Sequence, residues 1–394
     1  MTEPFLPYGR QVIEEDDIAA VARALGSDFL TTGPEIPAFE SEFAVACGAG
    51  EAVACANGTA ALHLALDAVG MGEGDVCIVP AITFMATANA GRYCGAEIVF
   101  ADTDPDTGLM TPETFSEALE RAGGRAKAVL PVHLAGELCE MAAIAPLARQ
   151  AGLAIVEDSC HALGSRFPDG SVAGGGAWSD AATFSFHPVK TLACGEGGMV
   201  TCSDPTLADT MRRQRSHGIE RDPARFEDAA GADRPWHHEM ASLGWNYRLP
   251  DINAALGRSQ LSRLDWFAAR RRTLAALYEQ ALAPLAPLVL PPARMAGTDP
   301  CRHLMNVRID FDAASVARET VMSRLHARGI GSQVHYIPVH TQPYYVNRYG
   351  KAALPGAEAY FARTLSLPLF ASMADEDVGR VAEALSAALG LQAA

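Results

Sequence analysis

The chain has 394 residues, 49% hydrophobic and 20% charged. That make-up is of a folded globular protein and excludes a disordered or collagen-like one. Its formal net charge of -16 repels a phosphate backbone, and no lysine- and arginine-rich run with interleaved aromatics offsets it, so nucleic acid is excluded as a partner. No apolar stretch approaches bilayer length, and the start MTEPFLPYGRQ lacks a basic region followed by an apolar run, so a cytoplasmic protein with no membrane partner is expected.

Up to about residue 200, short apolar runs recur at 52–56, 76–79, 97–101, 128–132, 154–157, 182–186 and 198–201, and most read as buried strands. Helical spacing lies between them, at Ile18, Val21 and Leu25, at Ile36, Phe39 and Phe43, and over 59–69. This alternation predicts an α/β domain with a mainly parallel sheet. Residues 216–240 are polar without a sustained period and read as a long loop. Beyond it, Ile252, Leu256 and Leu264 open a long helix, and the proline-rich APLAPLVLPP follows. Next come a period-two strand at Met305, Val307 and Ile309, a helix near 315–328, a strand near 333–337 and a last helix near 375–389. We expect a large α/β domain over 1–255 and a smaller α+β domain over 256–394. The nine cysteines are odd in number and scattered, with no CxxC pair, and read as reduced core thiols.

Chemistry points first to lysine, of which the chain has three. Lys127 and Lys351 read as surface charges. Lys190 lies between a buried strand and a glycine-rich turn, in TFSFHPVKTLACGEGGMV, where desolvation lowers an amine's pKa enough for it to attack a carbonyl. Asp158 ends a short apolar strand, where open α/β sheets place ligand crevices, and a carboxylate there can bond a pyridine nitrogen; taken alone it serves equally as a helix or turn cap. His161 either packs near such a ring or is a satisfied structural histidine. Gly58, Thr59 and Ala60 begin a helix directly after a strand, and the free N–H groups of a helix start suit a phosphate. Ser185 adds a hydroxyl close before Lys190. Phe84 is a ring-stacking candidate against a core reading. Asn246 and Arg248, in LGWNYRLPD, join an amide donor to a guanidinium fork suited to phosphate or carboxylate. The segment GSQVHYIPVHTQPYY offers His335, Tyr336, His340 and Tyr345, and with no carboxylate or thiol beside the two histidines no metal is expected.

In order along the chain, FLTTGP (29–34), ANGTAAL (56–62), PAITFMATANA (80–90), VHLAGELCEM (132–141), EDSCHALG (157–164), FSFHPVKTLACGEGG (184–198), GWNYRLPDINAALG (244–257) and VHYIPVH (334–340) resemble the DegT/DnrJ/EryC1/StrS sugar aminotransferases. These are fold-type-I pyridoxal-phosphate enzymes, with a large mainly parallel sheet domain and a smaller C-terminal domain. The resemblance implies pyridoxal 5'-phosphate as cofactor, Lys190 as the Schiff-base lysine, Asp158 as the partner of the ring nitrogen and Phe84 as the stacking aromatic. It assigns the cofactor phosphate to Gly58, Thr59, Ala60 and Ser185, and to Asn246 of a neighbouring subunit, which implies a homodimer with shared sites. His161 would join the cofactor site, and Tyr8, Thr31, Thr32, Arg248, His335, Tyr336 and His340 the sugar. Within the family, SDFLTTGP and GIGSQVHYIPVHTQPYY look most like the branch that aminates a UDP-linked 4-keto sugar for pseudaminic acid, with L-glutamate as donor. Glu137 and Cys160 depart from many relatives and are candidates for tuning the sugar pocket. Competing readings are a 4-amino-4-deoxy-L-arabinose or perosamine type of enzyme, a non-catalytic ligand sensor on the same fold, and a nicotinamide oxidoreductase. The last is weak, because GEGG after Lys190 is not a strand–GxGxxG–helix fingerprint.

Overall fold

The computed structural model describes residues 4–228 and 231–391. In chain order the first part runs α1 (Glu15–Leu25), α2 (Glu35–Cys47), β1 (Glu51–Cys55), α3 (Gly58–Ala68), β2 (Val76–Pro80), α4 (Met85–Tyr93), β3 (Glu97–Ala101), α5 (Pro112–Ala122), β4 (Ala126–Val129), α6 (Met141–Gln150), β5 (Ala154–Asp158), β6 (Ala181–Ser185), β7 (Gly198–Cys202) and α7 (Pro205–Gln214). The strands form one sheet in the order β1-β7-β6-β5-β4-β2-β3. Pairing is parallel from β3 through β6, and β7 runs antiparallel to both its neighbours. Strands such as β2 and β7, buried along their whole length, are covered on both faces, which is why they read as continuous apolar runs rather than alternating ones. The run expected at 128–132 begins earlier, at Ala126, and Val132 retains a single bridge to Asp158.

α2 buries Ile36, Phe39 and Phe43 as its spacing predicts. α1 does not follow its apolar spacing: Ile18 and Leu25 are exposed, and the buried residues are Asp17, Ala20 and Ala24. The reason lies in a later helix, α8 (Asp251–Leu261). Ser259 Oγ and Gln260 Nε2 each donate to the Asp17 carboxylate at 2.7 Å, and Arg263 pairs with it as well. The two alanines on that face leave room for close approach of α1 and α8.

The expected loop at 216–240 contains a short hairpin of β8 (Ile219–Glu220) and β9 (Glu239–Met240). The single long helix expected after residue 252 is two, α8 and α9 (Leu264–Leu282). A second sheet joins β10 (Val289–Leu290), β11 (Met305–Ile309) and β12 (Thr364–Leu367). α10 (Arg318–Ala327) and α13 (Asp375–Ala388) share its apolar core, whereas α11 (Pro343–Tyr349) and α12 (Pro355–Arg363) bury Tyr345, Ala357 and Tyr360 in the core of the large sheet. The strand expected near 333–337 is not in that sheet. Gln333 makes one bridge to Ser366, and the segment instead lines a cavity, while the third strand is β12. An apolar core separate from that of the large sheet gathers Leu274, Tyr278, Val307, Leu325 and Leu385. We propose two units meeting near residue 255, a position inside α8.

Candidate active site

The C-terminal ends of β5 and β6, the start of α3 and the segment entering α4 surround a cavity of about 640 Å³. Its position follows the rule that open α/β sheets bind ligands beyond the carboxyl ends of their strands. Tyr8, Gly58, Thr59, Phe84, Asp158, His161, Ser185, Lys190, His335 and Tyr336 all line it.

Lys190 sits on the loop from β6 to β7. The loop is closed at its base by Phe186 N–H donating to Gly197 O (2.8 Å) and Cys194 N–H to Phe186 O (2.9 Å), and Lys190 N–H donates to His187 O (2.8 Å). Burial lowers the amine's pKa from its ordinary 10.5, against the upward pull of Cys160 and Asp158. Asp158 is held by two donors: Thr87 Oγ1 bonds Oδ2 at 2.7 Å and Cys160 N–H bonds Oδ1 at 3.2 Å. Because a carboxylate oxygen accepts, Thr87 donates to it and therefore receives from Thr83 Oγ1, 2.7 Å away. Both threonines are buried, Thr83 on the segment entering α4 and Thr87 in its first turn, so Asp158 is oriented by a hydroxyl chain rather than by solvent.

At the start of α3, Asn57 caps the helix, its Oδ1 accepting from Ala60 N–H at 2.8 Å and its carbonyl from Ala61 N–H at 3.0 Å. Of the first four N–H groups of the helix, those of Gly58 and Thr59 remain for a ligand. A Cβ on Gly58 would stand 2.8 Å from Ser185 Cβ, and one on Gly198 would stand 2.3 Å from Asn57 O. The glycines therefore let β6, β7 and α3 close on one anion-sized cradle that adds the Ser185 and Thr59 hydroxyls. A desolvated amine, an oriented carboxylate and this cradle in one cavity fit pyridoxal phosphate: Lys190 for its aldehyde, Asp158 for its ring nitrogen, and α3 for its phosphate.

Several candidates stand apart from the cavity. The amide of Ala60 is taken up by the Asn57 cap. Thr31, Thr32 and Asn246 are exposed, and Arg248 donates to Ser216 Oγ at 3.2 Å. His340 is buried beside Phe100, with ring centroids 6.2 Å apart. Glu137 does not line the cavity: its carboxylate pairs with Arg302 and accepts from Thr298 Oγ1, both at 2.6 Å. Cys160 does line it, and burial raises its thiol pKa well above 9.0. Sequence reasoning missed Thr83, Thr87, His303, Gln333 and Glu196. The i, i+4 pair of threonines in PAITFMATANA was the available signal for the first two; His303 is brought in by tertiary packing and carries no local mark.

A family model described as the DegT/DnrJ/EryC1/StrS aminotransferase family matches residues 11–386. Among solved structures, the chain is similar to Helicobacter pylori PseC, an aminotransferase involved in the biosynthesis of pseudoaminic acid. That similarity has a TM-score of 0.89 and 28% identity, over 98% of this chain and 99% of that one. It is similar also to the aminotransferase TlmJ from Streptoalloteichus hindustanus, with a TM-score of 0.87 and 32% identity over 98% and 99%. DesI, solved in the presence of its TDP-sugar product, gives a TM-score of 0.86 and 32% identity over 99% and 94%. A further relative has been solved in PLP and PMP forms. The chain thus belongs to the DegT/DnrJ/EryC1/StrS family and is a pyridoxal-phosphate-dependent sugar aminotransferase.

Proposed function

We propose that this enzyme moves the amino group of L-glutamate to C4 of a UDP-linked 4-keto-6-deoxy-N-acetylhexosamine. The products are 2-oxoglutarate and UDP-4-amino-4,6-dideoxy-N-acetyl-β-L-altrosamine, a pseudaminic acid precursor. The observation that carries amino transfer is the Lys190 amine, lowered in pKa by burial, on the same cavity as Asp158 and the start of α3. The likeness to PseC supports the sugar.

When bound, the cofactor supplies a carbon that takes up the amino group and a ring that withdraws electrons from it. Lys190 Nζ would hold the cofactor through that carbon. Its amine would serve as general base at the donor's Cα and as general acid at the sugar's C4, moving the proton at each. Asp158 would bond the ring nitrogen through a carboxylate whose direction Thr87 and Cys160 fix. Among the described lining residues Lys190 is the one lysine and no arginine is present. We therefore place Asn246 and Arg248 at the cavity of a second copy, in a homodimer with shared sites, where an amide and a guanidinium meet phosphate oxygens. A cytoplasmic location belongs to the same reading.

Adding L-glutamate to the holoenzyme is expected to convert the cofactor's visible absorption. Titrating in UDP-, GDP- and dTDP-linked 4-keto sugars, with NMR of the product, identifies the sugar that restores it. Restoration by none of them would sink the reading. A dTDP-linked sugar is the second reading, favoured by the 32% identity to DesI.

A further inference from the structure

One wall of the cavity is built from Tyr336, His161 and His303. His161 stands between the other two, its ring nearly parallel to that of Tyr336 (25°, centroids 6.1 Å) and 4.5 Å from that of His303. The main-chain N–H of Ala135 donates to His161 Nδ1 at 3.3 Å, and His161 Nε2 lies 3.2 Å from Tyr336 Oη. A ring nitrogen that accepts carries no proton. Burial, with Lys190 and His335 close by, lowers the ring's pKa well below 6.5 and keeps it neutral, so its one proton is on Nε2. His161 is therefore the donor in the contact with Tyr336, and the phenol oxygen accepts. The phenol's own hydrogen then points elsewhere. Tyr336 lines the cavity and makes no other hydrogen bond among the described residues. Burial and the carboxylate of Asp158 raise its pKa well above 10.0, so the hydroxyl keeps that hydrogen at any working pH.

We propose that the ordered chain from Ala135 through His161 makes Tyr336 a fixed hydrogen-bond donor to the keto oxygen of the amino acceptor. Tyr336 touches the reacting oxygen, and His161 is a positioning residue that acts through it. The role rests on the amino-transfer reading, and its chemistry is general to ketones. Exchanging a keto oxygen for nitrogen breaks C=O, forms C=N and releases water carrying the two hydrogens of the attacking amine. Negative charge grows on the oxygen as nitrogen adds. A donor already aimed at that oxygen stabilises the change without reorganising, whereas a hydroxyl free to rotate would first have to turn. In the reverse direction the same donor holds the incoming water.

The test uses the amine-loaded holoenzyme and follows its discharge in single turnovers by cofactor absorption, with a keto sugar and separately with 2-oxoglutarate. Tyr336→Phe is expected to slow discharge about 10²-fold, the usual loss for one donor at a developing oxyanion. His161→Leu is expected to slow it about 10-fold, and His161→Gln, which keeps an N–H donor at the Nε2 position, about threefold or less. The double variant Tyr336→Phe/His161→Leu should be no slower than Tyr336→Phe alone, because both act through one hydroxyl. Neutron diffraction from the holoenzyme should find hydrogen on His161 Nε2 and none on Nδ1. Wild-type discharge rates in Tyr336→Phe, multiplying effects in the double variant, or hydrogen on Nδ1 would each overturn the assignment. Discharge of the wild type by 2-oxoglutarate but by no keto sugar, with Tyr336→Phe slowed, would leave the donor in place and remove the sugar reading instead.

Discussion

Burial lowers the pKa of Lys190. An amine kept from water loses its charge more readily, and a neutral amine is the nucleophile. Loading of the cofactor-free enzyme with pyridoxal phosphate should therefore speed up as pH rises through the lowered pKa and level off below 10.5, the ordinary lysine value. Stopped-flow loading across pH checks this, and a rate still climbing at 10.5 would contradict the burial argument. Lys190→Arg should fold and still lose about 10³-fold or more in both half-reactions, since a guanidinium neither attacks a carbonyl nor gives up its proton. That Lys190 lines the cavity was legible because the chain has so few lysines and only this one lies beside a buried strand and a glycine-rich turn. Thr87 and His303 were not: what each does depends on a partner 71 residues distant in one case and on ring packing in the other.

Among elements, α1 shows how a partner overrides a pattern. Its apolar residues at helical spacing pointed to one face, yet the buried face carries Asp17. A buried carboxylate is tolerated only if its oxygens are satisfied, and Ser259 and Gln260 of α8, with Arg263 just after it, do so. Asp17→Ala would leave those donors unpaired, and a loss of about 3 kcal/mol is expected, read as a shift of the urea midpoint at unchanged slope. A shift under about 0.5 kcal/mol would mean that the helices are held by their alanine contacts alone. The segment near 333–337 teaches the same lesson: it has the composition of a strand, but β12 occupies the place beside β11, leaving His335 and Tyr336 to face the cavity.

For the whole molecule, three buried histidines around one cavity couple stability to pH. His335 is lowered to about 3, chiefly by burial, and His161 and His303 are held well below 6.5 for the same reason. In the unfolded chain each takes a proton near pH 6.5, while in the folded chain it stays neutral. The unfolded state thus binds more protons below pH 6.5, and stability present above that pH falls as acid is added, by up to about 1.4 kcal/mol per pH unit for each histidine. For His335 the loss continues down to about pH 3. Urea midpoints between pH 7 and 4 should fall with this sign, and less steeply in His335→Gln; a flat profile would contradict it. The proposed sharing of sites makes a separate prediction: mixing Lys190→Ala with Asn246→Ala chains should recover activity that neither parent shows, because one hybrid site would carry both wild-type residues. Failure of such hybrids, with exchange of subunits shown independently, would count against the shared site.

The sequence by itself determined the seven strands of the large sheet, the loop that carries Lys190 and the strand end that carries Asp158. It could do so because strands covered on both faces are written as local apolar runs, and ligand crevices open at the carboxyl ends of the parallel ones. Only the tertiary structure decided which face of α1 is buried, which strand completes the second sheet, that Glu137 belongs to an internal ion pair, and that Ala135 sets the proton position of His161. Each of these rests on a partner far away in the chain, and a hydrogen bond or ion pair between distant residues leaves no periodic mark for the sequence to show.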